Sequence, residues 1–167
     1  VVAGGQESMT NASHAIDISK GKKLLKSELQ DTMIYDGLWD AFYNYHMGVT
    51  AENVADKWKI SRDDQDNFAF MSQSKAQKAI QDKKFEEEII KVEKLIQDEY
   101  PRKDVTKETL SRLKPVFKKD GTVTAGNSSG INDGAAAVIL MTEKEANKRN
   151  LIPMGRIVSW VTWGVDP

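Results

Sequence analysis

Two histidines and one loop of small residues are the parts of this chain whose residue types could do chemistry. His46 stands in Tyr45-His46-Met47-Gly48, immediately before a helical pattern. A histidine beside a glycine at a loop-to-helix junction can approach a ligand closely, because the glycine leaves room. The alternative is a half-buried imidazole bonded to a backbone carbonyl. His14 lies in a polar stretch and reads as solvent-facing. Two histidines so far apart, in a chain without cysteine, make no metal site. The lack of cysteine also removes disulfides and any cysteine nucleophile from these residues.

The stretch Thr124-Ala125-Gly126-Asn127-Ser128-Ser129-Gly130-Ile131-Asn132-Asp133-Gly134 is the most unusual in composition. Small side chains let a ligand reach the main chain, whose N–H and C=O groups then bond to it. It is not a phosphate-binding P-loop, because no Gly-Lys-Ser/Thr follows the glycines, and the Gly-x-Gly-x-x-Gly spacing of dinucleotide folds is absent. The competing reading is a glycine-rich turn that enters a buried strand. No Ser-His-Asp set is apparent, and the run Glu86-Glu87-Glu88 reads as a solvated face.

Positioning these groups requires regular elements, and several are legible. Val1 to Gly5 reads as the end of a buried strand running into a glycine turn. Residues 10–35 form a long polar excursion of the kind that is functional or docks on a partner. Ala51, Val54, Ala55 and Trp58 fall at helical spacing, with Thr50 as the expected N-cap. A second helix opens at Ser61, with Asp64 completing a capping box. Its apolar side would use Phe68, Met71, Ala76, Ala79 and Ile80, and Lys83-Lys84 would occupy its last turn. Residues 88–94 carry β-branched side chains suited to a strand. A short helix is predicted over 106–113. Ala135 to Met141 reads as a strand buried on both faces, Thr142 as the cap of a helix over 143–149, and 157–161 as a further strand. This order fits an α/β layer with a large insertion between two of its strands.

Bulk properties narrow the function classes. The chain has 167 residues, 40% hydrophobic and 29% charged, which favours neither disorder nor a membrane-spanning class. The run Ala135–Met141 is too short to cross a bilayer. Net charge is −1, with 24 Lys and Arg scattered among 25 Asp and Glu, against a nucleic-acid binder with one basic face. No basic region leads into an apolar stretch at the N-terminus, so no secretory signal is visible. The first residues, Val1-Val2-Ala3, lie inside an apolar segment and suggest a cut chain.

Several motifs together resemble the thiolase family, in its biosynthetic, acetyl-CoA acetyltransferase branch. They are Val2-Ala3-Gly4-Gly5-Gln6-Glu7-Ser8-Met9, Asp31-Thr32-Met33-Ile34, Tyr45-His46-Met47-Gly48-Val49-Thr50-Ala51-Glu52, Gly121 through Gly134, and Gly155-Arg156-Ile157-Val158-Ser159-Trp160. They run end to end in the family's order, and Gly164-Val165-Asp166-Pro167 resembles the linker between the two thiolase halves. The resemblance implies a thiolase fold of class α/β: part of the N-terminal half, layered α/β/α with a mixed sheet, and an inserted loop domain. Residues 1–8 and 132–163 would belong to that half, 9–131 to the loop domain, and 164–167 to the linker. Residues 12–30 would form a tetramerisation loop.

The same resemblance implies a parent enzyme that condenses two acetyl-CoA molecules to acetoacetyl-CoA and CoA, or runs the reaction backwards. Such an enzyme would be cytoplasmic and homotetrameric, with acetyl-CoA and acetoacetyl-CoA as partners, no nucleic acid and no membrane. It would need no cofactor besides coenzyme A as substrate. Its acylated cysteine, second cysteine, Asn and His would all lie outside this chain, which carries no catalytic residue and would be inactive alone. What the chain would supply is a coenzyme A cradle. Leu38, His46 and Met47 would line the pantetheine tunnel near the thioester. Ser129 would bond a pantetheine amide, flanked by Ala125 and Ile131. Arg102 would lie near the adenine and phosphates, Phe117 at the adenosine end, and Thr109 where the family usually has a serine. The rival reading is a non-catalytic coenzyme A-binding or oligomerisation module. A sheet lacking central strands would expose apolar faces, so the segment is expected to fold poorly in isolation.

Overall fold

A computed structural model describes residues 1–16 and 29–165. Most of the segment assigned to tetramerisation, residues 17–28, lies outside the described residues, as do 166 and 167 of the linker. In chain order the elements are β1 (Val2–Ser8), β2 (His14–Ala15), β3 (Gln30–Asp31), a π-helical turn (Met33–Leu38), β4 (Trp39–Asp40), β5 (Tyr45–His46), α1 (Met47–Trp58), α2 (Arg62–Gln81), α3 (Lys107–Ser111), β6 (Asp133–Ile139) and α4 (Glu143–Lys148). They divide into two compact units, one made of Val1–Ala12 with Asn132–Pro167, the other of Ser13–Ile131.

The first unit is built on β1 and β6, antiparallel and in register from Val2 opposite Ile139 to Ser8 opposite Asp133. Gly4 is required here, since a Cβ would overlap the carbonyl oxygen of Ala136. The Asp133 carboxylate accepts the N–H of Thr10 at 2.9 Å, and that bond holds its pKa below the usual carboxylate range. Thr142 caps α4 by accepting the N–H of Glu145 at 3.3 Å, as predicted. Three strand expectations are not met. β1 continues through Gly4 and Gly5 to Ser8 and is mostly exposed, rather than buried and ending in a glycine turn. β6 is exposed at every position rather than buried on both faces, because one partner strand cannot cover either face of a ribbon. Residues 157–161 take no regular structure, since a strand exists only where a neighbour receives its ladder and none of the described strands pairs with them.

The second unit carries the hairpin-like pairs β2–β3 and β4–β5 and three helices. Helix α1 starts at Met47 with His46 as N-cap, rather than at Thr50. The extended backbone of His46 turns Nδ1 onto the N–H of Gly48 at 2.9 Å, so an imidazole does the work expected of a hydroxyl. Thr50 then lies inside the helix, its Oγ1 buried without a hydrogen-bond partner. The buried residues of α1 are Glu52 and Ala55, whereas Val54 and Trp58 of the predicted apolar face are exposed.

Helix α2 has the predicted capping box. Ser61 Oγ accepts the N–H of Asp64 at 3.1 Å, and Asp64 accepts the N–H of Ser61 at 3.2 Å. The helix ends at Gln81, so Lys83 and Lys84 fall beyond its last turn, and Lys83 turns left-handed at φ 56°. Its buried residue is Asp66, while Phe68 and Met71 of the expected apolar side are exposed. Residues 88–94 form turns with an isolated Val92–Leu95 bridge instead of a strand, and Glu93 at φ 51° breaks the extended run. Helix α3 lies within the predicted 106–113. Thr106 caps it and Thr109 returns the bond to the Thr106 N–H at 3.0 Å.

Candidate functional site

The small-residue loop is held from beneath by two buried carboxylates. Glu52, 3% exposed, accepts the N–H of Thr122 at 2.8 Å, the N–H of Val123 at 2.8 Å and the Thr122 hydroxyl at 3.0 Å. Burial pushes its pKa up, but those amides, the hydroxyl and the charge of Lys118 outweigh it and hold the carboxyl below its ordinary value. Asp66 accepts Arg62 Nε at 2.7 Å and Asn127 Nδ2 at 3.0 Å. Asn127 then closes the loop, donating to the Thr122 carbonyl at 3.0 Å and accepting the N–H of Thr124 at 2.7 Å. Thr124 is fully buried, and its Oγ1 accepts the N–H groups of Gly126 and Asn127. The polar side chains at the base of the loop are thus spent on its shape. Ala125 and Ser129 are left facing outward.

One cluster gathers at the start of α1. The rings of His46 and Phe117 stack with centroids 4.7 Å apart and planes 23° from parallel. Phe117 also covers Gly48, where a Cβ would overlap its ring. His46 is half-buried and bonded to a backbone amide, not to the carbonyl of the simpler expectation. Because Nδ1 accepts that bond, the neutral ring carries its proton on Nε2, which is left as a donor. Leu38 immediately precedes Trp39, whose strand position is opposite His46, and Met47 follows His46 with half of its surface open.

A second cluster is a cleft of about 570 Å³ lined by Gln73, Tyr100, Arg102, Lys103, Thr109 and Ala125, with Pro101, Asp104, Val105, Leu110, Leu113 and Gly126. The segment that forms one wall is pinned to α2. Gln73 accepts the N–H of Arg102 at 2.9 Å, and Gln77, one turn later, donates to the carbonyl of Pro101 at 3.0 Å. The opposite end is fixed by Arg62, whose Nη2 donates to the carbonyls of Leu110 at 2.7 Å and Leu113 at 3.0 Å, at and just past the end of α3. The Arg102 guanidinium lies 5.9 Å from the centre of the Tyr100 ring, an arrangement that stabilises a cation over an aromatic face.

Of the nine residues that the sequence nominates, the cleft unites Arg102, Thr109 and Ala125. His46 and Phe117 are joined by stacking, with Leu38 and Met47 next to them in the chain. Ser129 and Ile131 are exposed and line neither cluster. Their neighbour Gly130, however, lies under the Tyr100 ring, which a Cβ there would overlap, so the loop reaches a residue of the cleft wall. Sequence reasoning missed Tyr100, Lys103, Gln73 and the supporting pair Glu52 and Asp66. A signal for Glu52 existed, since an acidic residue three positions before Ala55 shares its helix face.

Residues 1–144 match the thiolase N-terminal domain family. The chain belongs to the thiolase family. This thiolase segment is 55% identical to the acetyl-CoA acetyltransferase of Paracoccus denitrificans, aligned over all of its own length and 45% of that protein's. It is 47% identical to the cytosolic acetyl-CoA acetyltransferase of Rattus norvegicus, again over its full length and 45% of the relative. Its fold superposes on the Syntrophomonas wolfei acetyl-CoA acetyltransferase with a TM-score of 0.82 at 38% identity, covering 91% of this chain and 40% of that one. The Bacillus anthracis enzyme gives 0.80 at 41% identity, covering 91% and 41%. The expected α/β class and thiolase fold are met. This thiolase chain spans less than half the length of the relatives it matches.

Proposed function

We propose that this chain is the coenzyme A-binding part of an acetyl-CoA acetyltransferase that condenses two acetyl-CoA to acetoacetyl-CoA and free CoA, reversibly. The parent enzyme is cytoplasmic and homotetrameric in this reading, with residues 12–30 contributing to the tetramer. Among the described residues no helix is long and apolar enough to cross a membrane. The chain contains no cysteine, so the acyl-carrying thiol of the reaction comes from elsewhere in the protein. Residues 9–131 act as the loop domain, between stretches of the N-terminal catalytic half.

The observation that carries the reading is the cleft that takes Arg102, Thr109 and Ala125 into one lining with Tyr100 and Lys103. An aromatic ring, an apolar floor of Leu110 and Leu113 and two cations suit a nucleotide with phosphate groups. His46, with Nε2 free to donate, serves the thioester end of the ligand. Phe117, stacked on it, serves that end rather than the expected adenosine end, and Leu38, Met47, Ser129, Ala125 and Ile131 serve the pantetheine arm. The test is cleavage of acetoacetyl-CoA by the intact protein in the presence of CoA, with calorimetric titration of CoA alongside. Formation of acetyl-CoA supports the enzyme. Saturable CoA binding without cleavage would instead support the non-catalytic module, and absence of both would overturn the proposal.

A further inference from the structure

The cleft contains a cation that the family resemblance does not use. Lys103 stands next to Arg102 in the same lining, and among the described residues neither side chain has a carboxylate partner within ion-pair distance. Asp104 lines the cleft as well, so two positive charges face one negative charge. Arg102 is already oriented, by its backbone bond to Gln73 and by the Tyr100 ring under its guanidinium. Lys103 is exposed and carries no such restraint. A flexible, unpaired ammonium beside a fixed guanidinium, at the rim of a cleft floored by Leu110, Leu113, Val105 and Pro101, is an arrangement for a compact multivalent anion attached to a flat apolar group.

We propose that Lys103, working with Arg102, is a specificity-determining residue that recognises the ribose 3′-phosphate of coenzyme A, and so separates CoA from its 3′-dephospho form. The inference rests on the coenzyme A reading given above and deepens it. A phosphomonoester carries close to two charges at neutral pH, whereas each phosphorus of the pyrophosphate carries about one. The group that gains most from a second cation is therefore the monoester. It is bonded to the same ribose as the adenine, so a base resting on the apolar floor brings it to the rim where Lys103 stands. Lysine serves here as a point charge, and its contribution is discrimination between ligands rather than the main affinity, because an exposed pair is weakened by water and salt.

The experiment measures calorimetric Kd and thiolysis KM for CoA and for 3′-dephospho-CoA with the intact protein, Lys103→Gln and Lys103→Arg. The expected result is a loss of about fivefold for CoA in Lys103→Gln at low ionic strength. Dephospho-CoA should be unaffected by that change, and Lys103→Arg should recover most of the loss. The CoA preference of the wild type should also narrow as salt is added. An equal loss for both ligands would place Lys103 on the pyrophosphate or in a structural role and overturn the inference, while the coenzyme A reading stands. No loss for either ligand would overturn it as well. Failure of the wild type to bind CoA at all would remove the functional reading and this inference with it. Lys103 is solvent-exposed, so circular dichroism spectra of the three proteins should superpose.

Discussion

The carboxylate of Glu52 on α1 accepts the backbone N–H of Val123 at 2.8 Å, across 71 residues of chain. With the backbone N–H of Thr122, accepted at 2.8 Å, it satisfies two main-chain donors that have no strand to pair with, and it also accepts the Thr122 hydroxyl. Such donors are costly to bury unpaired. Replacement by alanine removes the acceptor and leaves both amides orphaned, which should destabilise the loop-domain unit by about 2–3 kcal/mol. Glu52→Gln keeps one oxygen but turns an NH2 toward donors, and should lose about 2 kcal/mol. Urea denaturation followed by circular dichroism measures both. Midpoints equal to wild type would show that the loop holds its shape without Glu52.

The same carboxylate makes stability depend on pH in one direction. Its folded pKa is held below the ordinary value because the amides, the hydroxyl and Lys118 outweigh the cost of burial. A group depressed in the native state stabilises it wherever the unfolded chain would hold the proton more tightly. The contribution is complete above the unfolded pKa of about 4.3 and is lost as pH falls through that value toward the lower folded pKa. Asp56, Asp64 and Asp133 are also depressed. They add the same sign, as does Glu108. Asp56 owes its depression to Lys118, whereas Asp64, Glu108 and Asp133 owe theirs chiefly to hydrogen bonds, which salt does not screen. The wild-type urea midpoint should therefore drop between about pH 5 and about pH 3, while Glu52→Gln, weaker at neutral pH, drops by less, its remaining slope belonging to the exposed carboxylates. Parallel pH profiles would assign the acid sensitivity to other groups.

How much of this was legible follows from how local each signal is. The caps at Ser61 and Thr142 are legible because a side chain there bonds an amide three residues on, a distance that spacing alone specifies. The cap at His46 was missed because propensity favours hydroxyl and carboxamide side chains, and an imidazole reaches the same amide only from the extended backbone found there. The strand predicted at 157–161 depends on a neighbour that no local pattern supplies. Arg102 and Thr109 share a cleft with Ala125 although the three belong to different local segments. Spacing carries no trace of that meeting, and the family resemblance supplied those names. Lys103, equally close, was passed over because a charged residue in a polar segment reads as solvated until the cleft around it is seen.

Gly48 tests the fit between α1 and the segment that follows α3. A Cβ at this position would overlap the Phe117 ring at its attachment carbon, which cannot swing away as the end of a long side chain would. Alanine is the better helix former by about 1 kcal/mol, but overpacking against a held ring costs about 1–3 kcal/mol and wins. Gly48→Ala should lower the unfolding midpoint and weaken the His46–Phe117 stack. The double variant Gly48→Ala with Phe117→Ala should relieve the clash, so the two losses should not add. Additive losses would show that the glycine and the ring are independent.

His46 separates a structural from a ligand-facing role within one side chain. Its Nδ1 caps α1 through the Gly48 N–H at 2.9 Å, a task that asparagine also performs well. Its Nε2 proton faces away from that bond, and its ring stacks on Phe117. His46→Asn should therefore keep the cap and forfeit only the aromatic contact, a loss of about 1 kcal/mol. His46→Ala loses the cap as well, for about another 1 kcal/mol. If Nε2 serves the thioester end of the ligand, as proposed, both variants lose that donor. Thiolysis of acetoacetyl-CoA should then fall about tenfold or more in each, while only the alanine variant shows the larger drop in stability. Activity that instead tracked the unfolding midpoint, with His46→Asn close to wild type, would confine His46 to capping and move the thioester contact to another residue.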